Sequence, residues 1–308
     1  MSALPRTGLA QELPKVVITY PDPSILGINL YVAQQRGFFR EEGLDAQLVR
    51  LTGAPAIKAL TAGEVQAVSA VALVIRAIER GDNVPFKVVS IDLKRPLFWL
   101  VARPEYKSIA HLKGKVLGFQ TLGNAPHVAA AWLLRKGGLD PEKDITAIVT
   151  GNPLQSLVSG AIQATAIGLP QAILARDKFK MSILASAVEE FPSLERGIVV
   201  REDLLREKRD LIKRILRALA KARRYVWENE RGSSELLADW AKVDLPVALE
   251  SYRLARPAFT TDGIPSEEEV REYLKREAEV MGLPKAVPAD RIFDFSLQRE
   301  INRELGMK

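Results

Sequence analysis

The sequence predicts an α/β protein of two similar lobes, each a mostly parallel sheet flanked by helices, followed by a helical C-terminal tail. Three observations carry this. Thr52-Gly53-Ala54-Pro55 runs into Ala59-Leu60-Thr61-Ala62-Gly63-Glu64-Val65-Gln66-Ala67. Further along, Thr150-Gly151-Asn152-Pro153 runs into Ser156-Leu157-Val158-Ser159-Gly160-Ala161-Ile162-Gln163-Ala164. A Gly-Leu-Asp step precedes each copy, at Gly43-Leu44-Asp45 and Gly138-Leu139-Asp140. Strand-like and helix-like runs alternate at short intervals, the pattern of a parallel sheet with right-handed crossovers. Two like lobes in one chain suggest a cleft between them, a common place to bind a small molecule.

Val16–Tyr20 is a β-branched run closed by Pro21-Asp22-Pro23, which reads as a strand ending in a turn. Ser24 is placed to cap the next helix, with Leu26, Leu30, Ala33 and Gln34 at helical spacing before Arg36-Gly37 stops it. A strand (46–51), helix (56–61), strand (66–70), helix (73–80) and strand (87–91) follow. Leu97–Ala102 is a further strand-like run closed by Arg103-Pro104. The pattern then restarts with strand 116–119, helix 126–136, strand 145–149, helix 154–159, strand 163–167, helix 171–177 and strand 181–184. After a last strand at Ile198-Val199-Val200 the chain turns helical, with breaks expected at Gly232, Pro246, Pro257, Gly263-Ile264-Pro265 and Gly282-Leu283-Pro284. If Ile198–Val200 returns to the first lobe, residues 13–102 and 197–308 form lobe one and residues 103–196 form lobe two. Two linking strands of this kind let lobes swing on a hinge. The alternative is a single continuous sheet. Residues 1–12 read as a disordered tail or signal remnant.

Composition bounds the function classes. Of 308 residues, 47% are hydrophobic and 27% charged, an ordinary globular balance. No apolar run approaches the roughly 18–20 residues that span a bilayer. The net charge is +6, and basic residues cluster only between Lys208 and Arg224. There Leu211, Ile212, Ile215, Leu219, Ala222 and Val226 form an apolar stripe, so a surface helix docked on the core is the expectation. A nucleic-acid partner is not expected, because aromatics are sparse and not interleaved with the basic residues. The absence of cysteine excludes disulfides, thiolate metal sites and cysteine nucleophiles. The first fifteen residues lack a charged n-region and a long apolar h-region, so no intact signal peptide is expected, and Gly8-Leu9-Ala10-Gln11 could be the scar of one. His111 and His127 are the only histidines, far from paired carboxylates. No phosphate loop, nucleophile elbow or dinucleotide fingerprint occurs. No catalytic residue, metal site or cofactor is therefore expected.

Ala33-Gln34-Gln35-Arg36-Gly37-Phe38-Phe39-Arg40-Glu41-Glu42-Gly43-Leu44 and Ala59-Leu60-Thr61-Ala62-Gly63-Glu64-Val65 resemble the nitrate/sulfonate/taurine family of ABC-transporter solute-binding proteins. So do Leu112-Lys113-Gly114-Lys115 and Gly138-Leu139-Asp140-Pro141-Glu142-Lys143-Asp144. The resemblance covers about Val16 to Val200. It implies a type II periplasmic-binding fold and an extracytoplasmic protein that captures a small organic or inorganic solute; a monomer is expected. Such a protein captures a small polar organic solute, aromatic or carboxylate- or sulfonate-bearing forms included, and delivers it to a membrane permease by hinge closure. Family members commonly show Gly-x-Val-Asp-Ala where this chain carries Gln66 and Gln163, a departure expected to bear on ligand identity rather than fold. Two alternatives stand beside this reading: an enzyme like the pyrimidine-precursor synthases of the same fold, and a ligand sensor without transport.

Ligands of open parallel sheets bind outside the carboxyl ends of the strands. The loops there are Tyr20–Ser24, Thr52–Ala54, Val71-Ala72, Gln120–Asn124, Thr150–Asn152 and Gly168–Pro170. Several precede helices, whose free N–H groups favour anionic or acceptor-rich groups. The candidate ligand-binding residues are Tyr20, Asp22, Ser24, Thr52, Gly53, Ala72, Thr121, Gly123, Asn124, Gly151, Asn152 and Gly168. Ser24 and Asn124 could instead only cap helices, Tyr20 could be core, and the glycines could be turn residues. Asp22 and Asp92 are the acids best placed by the loop argument to take a ligand amine or ring N–H, the alternative being exposed turn acids. No arginine falls inside the six loops, which favours backbone N–H groups and hydroxyls over a bidentate guanidinium.

Overall fold

The computed structural model describes residues 12–307 except 52, 80–84, 189, 191, 192 and 195. Strands β1 (Lys15–Tyr20), β2 (Asp45–Arg50), β3 (Ala67–Val68) and β4 (Phe86–Leu93) alternate with helices α1 (Ile28–Gln35), α2 (Phe38–Glu41), α3 (Ala54–Ala62) and α4 (Val71–Glu79). The second series is β5 (Trp99–Ala102), β6 (Lys115–Phe119), α5 (Ala125–Lys136), β7 (Ile145–Val149), α6 (Pro153–Ser159), β8 (Ala164–Ile167), α7 (Gln171–Phe179) and β9 (Ser182–Ser186). After β10 (Arg196–Arg201) come α8 (Glu202–Glu207), α9 (Arg209–Glu228), α10 (Glu230–Ala241), α11 (Leu245–Ala255), α12 (Glu267–Val280), α13 (Ala289–Ile292) and α14 (Ser296–Glu304).

The strands form two five-stranded sheets, ordered β2-β1-β3-β10-β4 and β7-β6-β8-β5-β9. In the first, β1 is parallel to β2 and β3, while β10 is antiparallel to β3 and β4. In the second, β6 is parallel to β7 and β8, while β5 is antiparallel to β8 and β9. The two plans are identical, and their registers match except at the first residue of β10. Val199 lies opposite Val68 and Val101 opposite Thr165, each partner two residues after the repeated glutamine. Both antiparallel strands bulge at the same step, between Ile198 and Val199 and between Leu100 and Val101, and β10 shifts once more between Arg196 and Gly197. The repeat read in the sequence is a repeat of structure.

One boundary moves. The expected lobe-one stretch to residue 102 ends with β4 at Leu93, because β5 is hydrogen-bonded wholly within the second sheet. A short apolar run carries no mark of which sheet it will join. Gly232 does not break the tail either. It sits inside α10, where a Cβ would strike the Tyr225 hydroxyl, and the break falls at Asn229.

Helix α9 docks as its pattern predicts: Ile212, Ile215, Leu219, Ala222 and Val226 are buried. Its basic face is neutralised from within. Lys213 and Arg217 reach Glu300 and Glu304 of α14, Lys221 reaches Glu41 and Glu42, and Arg223 is buried against Asp92. The tail packs mainly on lobe one but also touches lobe two, where Arg176 of α7 forks onto Glu250 of α11 at 2.6 and 2.8 Å.

Candidate functional site: the edge where the sheets face

Strand polarity brings two edges together. Because β10 opposes both β3 and β4, β4 ends at the carboxyl edge of the first sheet. From there the chain crosses to β5, whose first residue, Trp99, lies opposite Ile167 at the carboxyl end of β8. The return from β9 to β10 also joins the two carboxyl edges. Both crossings are short, and they hold each other: Ala187 donates to the Phe98 carbonyl at 2.9 Å and Ser193 to that of Lys94 at 3.2 Å. The carboxyl edges of the two sheets therefore adjoin at the two crossings, with the loops of the sequence analysis along them.

In lobe one, Tyr20 closes β1 half-buried, its ring 5.2 Å from Trp240 of α10. Trp240 stacks on Tyr31 at 4.9 Å, and Tyr31 donates to Asp239 at 2.5 Å. Burial and that bond push the Tyr31 phenol up to about 12. Asp22, half-buried, faces Arg196, with 3.5 Å between a carboxylate oxygen and Nη2. Ser24 is buried and its Oγ accepts from the Leu26 N–H at 3.3 Å, so it caps the 3-10 turn Ile25–Gly27 ahead of α1. Gly53 precedes α3 at φ +67°, ψ −149°, a conformation open essentially to glycine alone. Ala72 is half-buried in the first turn of α4. Thr52 lies outside the described residues.

In lobe two, Thr121 and Gly123 are exposed. Asn124 caps α5, accepting from the His127 N–H at 3.1 Å, and His127 Nδ1 accepts from the Gly123 N–H at 3.0 Å. The imidazole stands edge-on to Phe119 at 4.9 Å, and its half-burial lowers its pKa below the usual 6.5. Gly151 and Asn152 are exposed, and Asn152 Oδ1 accepts from the Gln155 N–H at 3.1 Å to cap α6. Unlike Gly53, Gly151 has no positive φ and open space around it, so the two glycines are not equivalent. Gly168 lies beside the first crossing, where a Cβ would come within 3.3 Å of the Leu97 carbonyl oxygen.

Two expectations change. Asp92 does not face the edge: it is buried, bonded to Arg223 Nη1 at 2.9 Å. Gln66 and Gln163 lie at the amino ends of β3 and β8, the edge opposite the candidate site. Sequence reasoning also missed Arg196. Only loops after parallel strands were searched, whereas antiparallel β10 brings its first residue to the same edge. The matching Leu100-Val101-Ala102-Arg103 and Ile198-Val199-Val200-Arg201 carried that signal.

Helices α1, α3, α4, α5, α6 and α7 begin at this edge, and none has an acid in its first turn. Elsewhere α2, α8, α9, α10, α12 and α13 each have at least one, and α11 and α14 have none. Acids at a helix N-terminus are stabilising, so their absence along this edge leaves its positive dipole ends uncompensated.

A family model described as NMT1/THI5 like matches residues 27–232. The chain belongs to the NMT1/THI5-like family. Along 99% of its length this member is 26% identical to the Bacillus subtilis (strain 168) protein named "Putative binding protein YtlA", of which it covers 95%. It is similar in structure to the alkanesulfonate-binding protein SsuA from Xanthomonas axonopodis pv. citri bound to MOPS. The TM-score is 0.76 at 18% identity, over 92% of this chain and all of that one. It is also similar to the periplasmic nitrate-binding protein NrtA from Synechocystis PCC 6803, with TM-score 0.73 at 15% identity, over 96% and 90% of the two chains. This NMT1/THI5-like chain has the two-lobe periplasmic-binding fold.

Proposed function

We propose that the chain is the extracytoplasmic solute-binding component of an ABC importer, taking a small polar organic solute between its lobes and presenting it to a membrane permease. The observation that carries the reading is the edge itself: six acid-free helix N-termini set along two facing sheet edges joined by two crossings. Such an edge offers N–H donors and positive potential to an acceptor-rich or anionic guest, each terminus contributing about 0.3–1 kcal/mol. That solved structures of like fold are named for sulfonate and nitrate binding supports the same chemistry. The solute would touch Tyr20, Gly53 and Ala72 on one side and Thr121, Gly123, Gly151 and Gly168 on the other, with Asp22 beside it facing Arg196. Contacts with both lobes favour closure by the difference between its affinities for the closed and open forms.

The test is a thermal-shift screen of small carboxylates, sulfonates and neutral analogues, with each hit then followed by NMR. A hit that stabilises the protein and stays chemically unchanged supports binding. Conversion of the solute would support the enzyme reading instead.

A further inference from the structure

The two lobes can be compared position by position, and one place breaks their symmetry. Val199 and Val101 are equivalent, each opposite the residue two places after the repeated glutamine. Counting back three residues in sequence matches Arg196 to Phe98, and here β10 has a register shift between Arg196 and Gly197 that β5 lacks. In lobe two this position is filled by a buried phenyl ring lying against Gly168. The architecture is thus satisfied by an apolar side chain here, yet lobe one carries a guanidinium.

That guanidinium is poorly served. The Arg196 side chain is only 16% exposed, and its one ion-pair partner among the described residues, Asp22, stands 3.5 Å from Nη2. This is beyond the usual range of a good N–H···O bond. Its Nε is buried without a hydrogen-bond partner. Guanidinium has five N–H donors and no acceptor, so a largely buried one with a single loose carboxylate is short of oxygens. The deficit sits at the first residue of β10, on the carboxyl edge of the first sheet, beside the β1–α1 loop.

We propose that Arg196 is the ligand-contacting cation of the cleft, supplying its donors to the oxyanion head of a carboxylate- or sulfonate-type solute, and that Asp22 orients it. The assignment rests on the cleft reading above but adds a residue and a ligand charge to it. Asp22 then acts on the guanidinium rather than on a ligand amine. The fork of the guanidinium matches two oxygens of one anionic head, which a lysine's point charge cannot do.

The experiment is titration calorimetry with methanesulfonate and acetate, and with the neutral isosteres dimethyl sulfone and acetamide. Wild type is compared with Arg196→Phe, Arg196→Gln and Arg196→Lys. Arg196→Phe takes the residue that lobe two holds at the matching place in sequence and removes a buried, unsatisfied Nε, so it is expected to fold, with a melting temperature near that of wild type. Wild type should bind both anions and neither isostere. Arg196→Phe and Arg196→Gln should weaken the anions by about tenfold to a hundredfold, and Arg196→Lys by less. Anion affinity unchanged in Arg196→Phe or Arg196→Gln overturns the assignment, as does equal binding of the isosteres or no anion binding by wild type. A solute from the wider screen that stabilises wild type and Arg196→Phe equally would leave the cleft reading standing and remove Arg196 from it. Absence of any stabilising solute would remove both.

Discussion

Gln66 and Gln163 make the same hydrogen bond in the two lobes: each side-chain Oε1 accepts from a backbone N–H of the neighbouring parallel strand, Val17 of β1 at 2.7 Å and Val116 of β6 at 3.1 Å. Each backbone N–H returns the bond to the same valine's carbonyl at 2.9 Å. The amide side chain adds a rung at the amino end of a short strand. An aspartate there would accept the same bond, so the departure from the family's acid exchanges one acceptor for another. It lies at the edge opposite the candidate site. Gln66→Ala or Gln163→Ala should each cost about 1 kcal/mol in urea unfolding, with solute affinity unchanged.

The same symmetry fixes two glycines. Gly63 and Gly160 end α3 and α6 at φ +77° and +87°. A Cβ on either would sit 2.5 or 2.6 Å from Nη1 of an arginine, Arg201 or Arg103. Those arginines are equivalent across the repeat, and each is paired two residues on, with Asp203 or Glu105. A flexible arginine can move aside, but the left-handed backbone remains. Alanine at either glycine should therefore cost about 1–2 kcal/mol, read as a lower midpoint in chemical denaturation.

Asp92 and Arg223 form the buried ion pair of the first lobe, with Ser90 Oγ also accepting from Arg223 Nη1 at 3.0 Å. Asp92→Ala would leave the guanidinium charged and unpaired under α9, at a cost of about 3–5 kcal/mol. Replacing both partners, Asp92→Leu with Arg223→Met, should recover most of that loss. Thermal denaturation of the single and double variants checks the sign. A single variant as stable as wild type would mean the pair does not hold α9 to the sheet.

His127 gives a pH dependence. Half-burial lowers its pKa below 6.5, so the unfolded chain binds the proton more readily. Its contribution to stability is complete above the ordinary imidazole value and is lost as pH falls through the lowered folded value. Protonation of Nδ1 would also end its acceptance of the Gly123 N–H, releasing the loop ahead of α5. Between about pH 7.5 and 5.5, wild type should lose more melting temperature than His127→Gln. Parallel curves would contradict this.

The alternation of strands and helices, the duplicated phrases and the α9 stripe were legible because they are local patterns with a fixed period. The assignment of 99–102 to the second sheet was not, since four apolar residues in a row fit either sheet equally. The edge was found by the rule for parallel strands, which by construction could not see Arg196 at the start of an antiparallel one. Asp92 was misread because its partner, Arg223, lies far along the chain in a helix whose basic residues look solvent-facing in sequence. Trp240 came to Tyr20 from the tail, where nothing local ties it to the first strand. Long-range pairs of this kind are set by packing, not by neighbours in sequence.

The central claim is that a solute is gripped between the two lobes. The chain has no cysteine, so a Lys58→Cys, Gln155→Cys double variant can be spin-labelled cleanly on exposed positions of α3 and α6. The distance between the labels is measured by pulsed electron resonance with and without each solute that raises the melting temperature. The account predicts a shorter, narrower distance distribution with bound solute; a stabilising solute that leaves the distribution unchanged would contradict it.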